Sequence, residues 1–273
     1  MLATIVRRLL QTIVVMLVMS ALVFAGIYMV GDPVSMLASP EATEAQRAAV
    51  RASLGLDLPL WRQYLIFMGQ AVRGDFGNSF LTGEPAMRLI LERMPATVEL
   101  ACVAMLLSVL IGVPLGILAG LKPKAAGSRV IMTGSVLGFS LPNFWVGLML
   151  IMVFAVMLGW VPAGGRGQTV SIGSLQLSVL TLDGWLSLAL PAATIAFAKC
   201  AMIIRVTRAA TREALPMDYI KFARAKGLSE KRVLGVHLLK NILIPVVTVA
   251  GLEFGQVMAF AVVTETVFSW PGM

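Results

Sequence analysis

Charge, histidine and cysteine are all scarce in this chain. Only 13% of its 273 residues are charged, and it carries one histidine and two cysteines. No G-x-x-x-x-G-K-[ST] run is present, which excludes ATP hydrolysis by a phosphate loop. His237 alone cannot supply H-E-x-x-H or another clustered ligand set, so a metalloenzyme is excluded and the residue reads as structural. Cys102 and Cys200 fall in apolar stretches, which points to two buried thiols rather than a disulfide framework. There is no internal repeat, low-complexity tract or nucleophile-and-base arrangement. The sequence reads as a single domain over 1–273, not an enzyme, with no metal site and no cofactor of its own.

What the chain has in excess is apolar surface, at 58% hydrophobic residues. A soluble domain would expose too much of it, at roughly 1.5 to 3 kcal/mol per large side chain left in water, so the solvent is lipid. Five stretches are long enough to cross a core of about 30 Å: 9–30, 100–120, 130–158, 186–204 and 242–263. The first is longer than the roughly 7 to 15 residues of a cleavable signal core and is read as a retained span. The third is long enough to tilt, or to kink at Pro142 in "FSLPNFW".

The formal charge of +8 reports topology rather than nucleic-acid binding. Arg7 and Arg8 precede the first span, and Lys122, Lys124 and Arg129 follow the second, with no acid beside either group. The segment 199–240 is also rich in Lys and Arg, whereas 159–185 holds only Arg166 and Asp183. Lys and Arg gather on cytoplasmic ends, so the N-terminus and the segment 212–241 are placed inside. Residues 31–95 are placed outside as a helical insertion. One helix is expected there from Ser39–Pro40–Glu41 with Gly55 as its stop, another from Pro59 to Arg73 ended by Gly74, and a short one over 86–93.

The most polar internal stretch is "DYIKFARAKGLSEKRVLGVHLLKN", Asp218 to Asn241. Pro216 suits a first helical turn, Asp218 the positive end of the dipole, and Lys221, Arg224 and Lys226 the other end. Gly227 supplies a stop, and Ser229 can cap the next helix with Glu230 in its first turn. Tyr219, Phe222 and Ala223 share one side and the basic residues another. That pattern fits a docking surface, and equally a basic helix resting on anionic lipid.

"DYIKFARAKGL", "NILIPVVTV" and "ETVFSWPG", with "LGLDLPLWRQYL", "RGDFGNS" and "ILERMPATVEL" upstream, strongly resemble one family over essentially the whole chain. It comprises the integral membrane permeases of binding-protein-dependent ABC importers, in the dipeptide and oligopeptide branch that also includes nickel importers. The resemblance implies an all-α polytopic type I permease fold in the bacterial inner membrane. Members have six spans; five are visible, so a truncated or incomplete chain is expected.

The resemblance further implies a second homologous permease, two cytoplasmic ABC ATPases that bind ATP and Mg, and a periplasmic or lipid-anchored substrate-binding protein. It places ATPase-coupling contacts on Asp218, Tyr219, Phe222, Ala223, Arg224, Ala225, Lys226, Gly227 and Leu228. The family's Glu-Ala-Ala motif, three residues, then Gly, is matched only at Ala223 and Gly227; Lys221 stands where the acid belongs.

Ionisable residues within spans are candidates for function, since burial in lipid costs about 2.5 to 3.5 kcal/mol or more. Lys199 is expected to snorkel to the cytoplasmic surface. Glu253 and Gln256 line the translocation path or, preferably, bond a partner helix, and Asn143 is a further path candidate. Glu99 is expected to stay hydrated at the outer mouth. Gly112, Pro114, Gly116, Pro191 and Pro245 loosen spans and permit close helix approach. An ion-coupled secondary transporter is the rival class, but it favours internal repeats and several midplane charges.

Overall fold

A computed structural model of the chain describes residues 2–30, 34, 43–53, 55–79, 82–173 and 175–273. It divides into two compact units, Met1–Ile90 and Leu91–Met273.

In the first unit the uncharged run 9–30 lies within α1 (Leu2–Val30), which also takes in Arg7 and Arg8 and leaves most of its apolar side chains from Ile5 to Val23 exposed. The expected helix start at Ser39–Pro40–Glu41 lies outside the described residues. The helix that follows, α2 (Glu44–Ser53), opens on a reciprocal cap in which Thr43 N donates to Gln46 Oε1 at 2.8 Å and Gln46 N to Thr43 Oγ1 at 3.4 Å. Gly55 ends that region at φ +66° and Gly74 follows α3 (Leu60–Val72) at φ +82°, both as the sequence suggests. Helix α3 packs on α1 through Tyr64, which bonds Ser20 at 2.8 Å and meets the Phe24 ring edge-on at 5.5 Å.

Helix α4 (Ala86–Leu121), which belongs to the second unit from Leu91 onward, is continuous through Pro95 and Pro114. The short helix expected over 86–93 is therefore not separate. Packing overrides the lost backbone bond at Pro95, because Ala96, Leu100, Ala101 and Ala104 immediately beyond it are buried against α7 (Leu182–Ala214). Glycine sets the α4–α7 approach. A Cβ at Gly112 would meet Ile203 at 2.8 Å, one at Gly116 would meet Thr207 at 2.5 Å, and one at Gly120 would meet Thr211 at 2.7 Å. Steps of four match steps of four in the same direction, so α4 and α7 run parallel in near backbone contact.

Between them lie α5 (Ala126–Ser140) and α6 (Asn143–Met157), bent by 104°. The break falls where anticipated: Leu141 is held extended at ψ 135° by the ring of Pro142. It is far sharper than a kink. Because α4 and α7 point the same way, the chain must recross once between them, and the bent pair is one broken span. The last helix, α9 (Glu230–Val267), returns antiparallel along α7. It passes through a π-turn at Val233–Leu238. Four long helices and the bent pair give the five spans read from the sequence. The loop before α7 adds an element not foreseen, a two-stranded hairpin of β1 (Val170–Ile172) and β2 (Leu175–Leu177).

Glu99 and the two cysteines differ from what the sequence suggests. Glu99 is not hydrated but 6% exposed. Its carboxylate accepts from Ser178 N at 2.6 Å, Val179 N at 2.8 Å and Arg166 Nη2 at 2.7 Å. The Arg166 guanidinium lies 5.7 Å over Trp270, whose indole N–H donates to Ala96 O at 3.0 Å. One carboxylate thus fastens the hairpin loop and the C-terminal segment to the start of the α4 core. The cysteines differ too: both are free, but Cys102 is exposed on the outer side of α4 and Cys200 is only half-buried.

Two outcomes follow for the detergent-solubilised protein. Gly116→Val, which drives a branched side chain into Thr207 and the Ile204 carbonyl, is expected to lose at least about 1 to 3 kcal/mol, whereas Gly127→Ala, with open space around it, stays within about 0.5 kcal/mol. Thermal unfolding reads both. Glu99→Ala strands Arg166 and two backbone N–H groups, at about 3 to 5 kcal/mol. Proteolysis within the 166–178 loop is expected to accelerate accordingly.

Candidate functional site

Helix α7 ends at Ala214 and α9 begins at Glu230, and between them the chain folds into a short hairpin around α8 (Asp218–Ala225). The helix starts one residue past Met217, which is extended, so Pro216 lies in the preceding turn rather than in the first helical turn. The C-terminal stop is a Schellman closure: Gly227 N donates to Arg224 O at 2.9 Å and Leu228 N to Ala223 O at 3.3 Å. Gly227 sits at φ +75°, and a Cβ added there would have no neighbour within 4 Å, so conformation and not space requires glycine. Ser229 occupies the capping position of α9 but its hydroxyl caps nothing, contrary to expectation.

Helix α8 has two faces. Ile220 and Ala223 are buried at 0% and 3% exposure, packed with Ala214, Val233, Leu238 and Ile242. Leu228 joins this cluster, half-buried. Ala223 thus belongs to the inward face and does not share an exposed stripe with Tyr219 and Phe222. The periodicity hid this because the helix is only eight residues long and Ile220, which marks its buried side, lies between two aromatics. Tyr219 and Phe222 are exposed at 39% and 61%. Around them Lys226 Nζ lies 4.5 Å over the Phe222 ring, Lys221 reaches Asp218 at 3.1 Å, and Arg224 grips Glu230 through two nitrogens at 2.8 and 3.2 Å. Ala225 is exposed beside them. His237 takes a half-buried place in the π-turn, where its carbonyl accepts from Asn241 Nδ2 at 2.7 Å.

The hairpin is therefore held from behind by apolar packing. Its outer face combines two exposed aromatic rings with cations, an arrangement suited to a partner protein surface.

A second group lies within the membrane-spanning part. Lys199 does not snorkel: its Nζ is 2.6 Å from Glu253 Oε2 and 3.2 Å from Gln256 Oε1. A counter-charge on the adjacent helix stabilises the ammonium locally, which removes the reason to reach for the interface. Glu253 and Gln256 do bond a neighbouring helix, as read from the sequence, and that helix is α7 of the same chain. Asn143 opens α6 on the exposed surface, and among the described residues it makes no hydrogen bond to either of them. Among the described residues no three His, Cys, Asp or Glu side chains gather into a set that could hold a metal ion.

Comparison with known proteins brings these features together. Residues 112–273 match the family described as "Binding-protein-dependent transport system inner membrane component", and residues 1–101 match its N-terminal companion, "Binding-prot-dependent transport system membrane comp, N-term". The chain is 41% identical over 287 residues to the di/tripeptide transport system permease protein DppB of Pseudomonas aeruginosa, covering 100% of this chain and 85% of that protein. It is 38% identical to the oligopeptide transport system permease protein AppB of Bacillus subtilis, covering 100% and 85%. It is also 38% identical to the glutathione transport system permease protein GsiC of Escherichia coli, covering 100% and 84%. Among solved structures, the inward-facing MetNI methionine ABC transporter superposes with a TM-score of 0.51 at 17% identity, over 67% of this chain and 76% of that one, a likeness of fold. The chain belongs to the inner-membrane permease components of binding-protein-dependent transport systems.

Proposed function

We propose that this permease admits dipeptides or oligopeptides, as one of two related permeases that form the pore. Two cytoplasmic ATPases would drive it, and an external binding protein would deliver the peptide. Relatives with peptide names at 38 to 41% identity over the full chain support the substrate class. The partner set follows from the family, and the ATP and Mg belong to the ATPases. The segment 31–95 is assigned to the outer face, where it receives the binding protein, and 212–241 to the cytoplasm.

The observation that carries the reading is the two-faced hairpin. Its back is continuous with the α7 and α9 core, while Tyr219 and Phe222 stand exposed among cations on its front. Parallel α4 and α7 support the orientation: both end on the side that carries Lys122, Lys124 and Arg129 after α4, and Arg208 and Arg212 at the end of α7. We read the hairpin as cytoplasmic on that support, and the N-terminus as cytoplasmic from Arg7 and Arg8. An ATPase that grips the front of α8 moves α7 and α9 together, because the same short segment joins both. ATP-driven closure thereby becomes a rotation of packed spans. Asp218, Arg224 and Lys226 supply polar contacts, Gly227 fixes the turn, and Ala223 and Leu228 transmit the motion inward.

Peptide uptake into vesicles carrying the complete importer is expected to persist when ion gradients are collapsed and to stop when ATP is depleted; the reverse result would support an ion-coupled transporter. Phe222→Asp is expected to reduce ATPase co-purification and peptide uptake at least tenfold, in keeping with loss of a buried aromatic anchor of ~2 kcal/mol or more, with the permease still present in the membrane. Gly227→Val must adopt a left-handed backbone at a cost of about 1 to 2 kcal/mol and is expected to impair the same two readouts. Intact ATPase assembly and uptake in both variants would refute the coupling role.

A further inference from the structure

Resting on the peptide-permease reading above, we infer that Lys199 and Glu253 form a substrate subsite: a pair of counter-charges that exchange partners with the ammonium and carboxylate ends of a zwitterionic peptide.

Glu253 is the central residue of the helical stretch Leu239–Val267, and Lys199 lies one residue past the middle of Leu182–Ala214. Along α9, Ile242, Val246 and Val257 are buried in apolar clusters shared with α7, on either side of Glu253 in sequence. Glu253 interrupts that apolar series. An apolar pair in the same places would hold two helices together at least as well, since the desolvation of two charges offsets much of their attraction. Packing alone gives no reason for the charges.

The two side chains keep 18% and 13% of their surface exposed, so the pair is at the edge of the seam and not sealed within it. Gln256, one turn on, is exposed, and Gly251 and Gly255 have open space beside them. Glu253 accepts from Lys199 alone among the described residues, whereas Glu99 is held by three donors. Glu99 is locked, and Glu253 is free to change partners.

The chemistry matches one class of solute. Dipeptides, oligopeptides and glutathione differ in side chains but all carry an ammonium and a carboxylate. Crossing a low-dielectric region requires a counter-charge for each. At rest Lys199 and Glu253 neutralise one another. With a peptide between them, the ammonium pairs with Glu253 and the carboxylate with Lys199, and no charge is left alone at either stage. Ion pairs are traded for ion pairs, so the subsite holds the solute weakly enough to release it, as a translocation path requires.

The test uses the complete importer in proteoliposomes with trialanine, N-acetyl-trialanine and trialanine amide. Glu253→Gln leaves an unpaired cation and is expected to favour the anionic acetyl peptide over the cationic amide by about tenfold relative to wild type. Lys199→Met is expected to shift the same ratio about tenfold the other way. One binding protein serves every variant, so its own preference cancels between them. Equal losses for both blocked peptides, or no change, would mean a structural clasp and overturn the subsite. If wild type imports none of the three with ATP, the peptide reading itself fails and the subsite with it.

Should the blocked peptides enter too slowly to give ratios, a photoreactive benzoylphenylalanine in place of Gln256 provides the second measurement. It is expected to cross-link labelled trialanine in turnover-trapped importer, and to stop doing so when Lys199→Met and Glu253→Gln are combined. No adduct with the native pair, or an undiminished adduct without it, would overturn the proposal.

Discussion

The contact on which this architecture depends is the glycine face of α4 against α7. Three glycines spaced by one turn leave α4 without a Cβ at three points of the seam, and three branched side chains, Ile203, Thr207 and Thr211, fill the space. In lipid there is no hydrophobic drive to bring helices together, so association relies on van der Waals fit, and fit is best where backbones approach closely. The consequences extend beyond that pair. The matched spacing makes the two helices parallel, which turns the sharply bent α5–α6 segment into a single crossing. It also brings the C-terminal ends of α4 and α7 to the same side, where the hairpin around α8 is built.

That hairpin has a stable back and an available front. Its buried side repeats the logic of a small soluble core, with Ile220, Ala223, Val233, Leu238 and Ile242 closing on Ala214. Nothing comparable covers Tyr219 and Phe222 among the described residues. A helix of eight residues would not hold in water on its own propensity. Here the Schellman closure at Gly227 and the packing beneath it fix the helix, so the aromatic rings can be presented without being needed for local stability. A surface of this kind can be gripped and released without unfolding.

Much of this was legible from residues alone, and the remainder was hidden for identifiable reasons. Spans follow from uncharged length, and Gly227 as a turn follows from the polar-to-apolar punctuation around it. The break at Pro142 follows from the ring's effect on Leu141. The glycine seam was within reach too, since Gly112, Gly116 and Gly120 repeat at one-turn spacing, but the partner face on α7 carries no such signature. The charge pairs were not accessible. Arg166 lies 67 positions from Glu99, and Lys199 lies 54 from Glu253. Hydropathy says that a charge is costly in a span, but not which neighbouring helix compensates it. Glu99 and Lys199 were therefore assigned to water by default. The face of Ala223 failed for another reason: two turns of helix give too few points to fix a stripe.

Three of the ion pairs described in the second unit lie at different levels along its helices, and their environments differ in a way that orders their roles. At one end Glu99 and Arg166 are almost wholly buried, at 3% and 10% side-chain exposure, and the carboxylate accepts from three donors. Such a pair is expensive to break, because either partner alone would be stranded. At the other end Arg224 and Glu230 are largely exposed, so water screens them and the pair contributes little beyond orienting the hairpin. Lys199 and Glu253 lie between these limits, shielded enough to need each other and open enough to be reached. Low dielectric makes the attraction strong, yet sparse coordination leaves it exchangeable. A fixed clasp suits the first environment and a solvated one the third. Only the middle environment allows a charge to be both required and replaceable, which is the physical condition for a group that meets a passing solute rather than holding the fold.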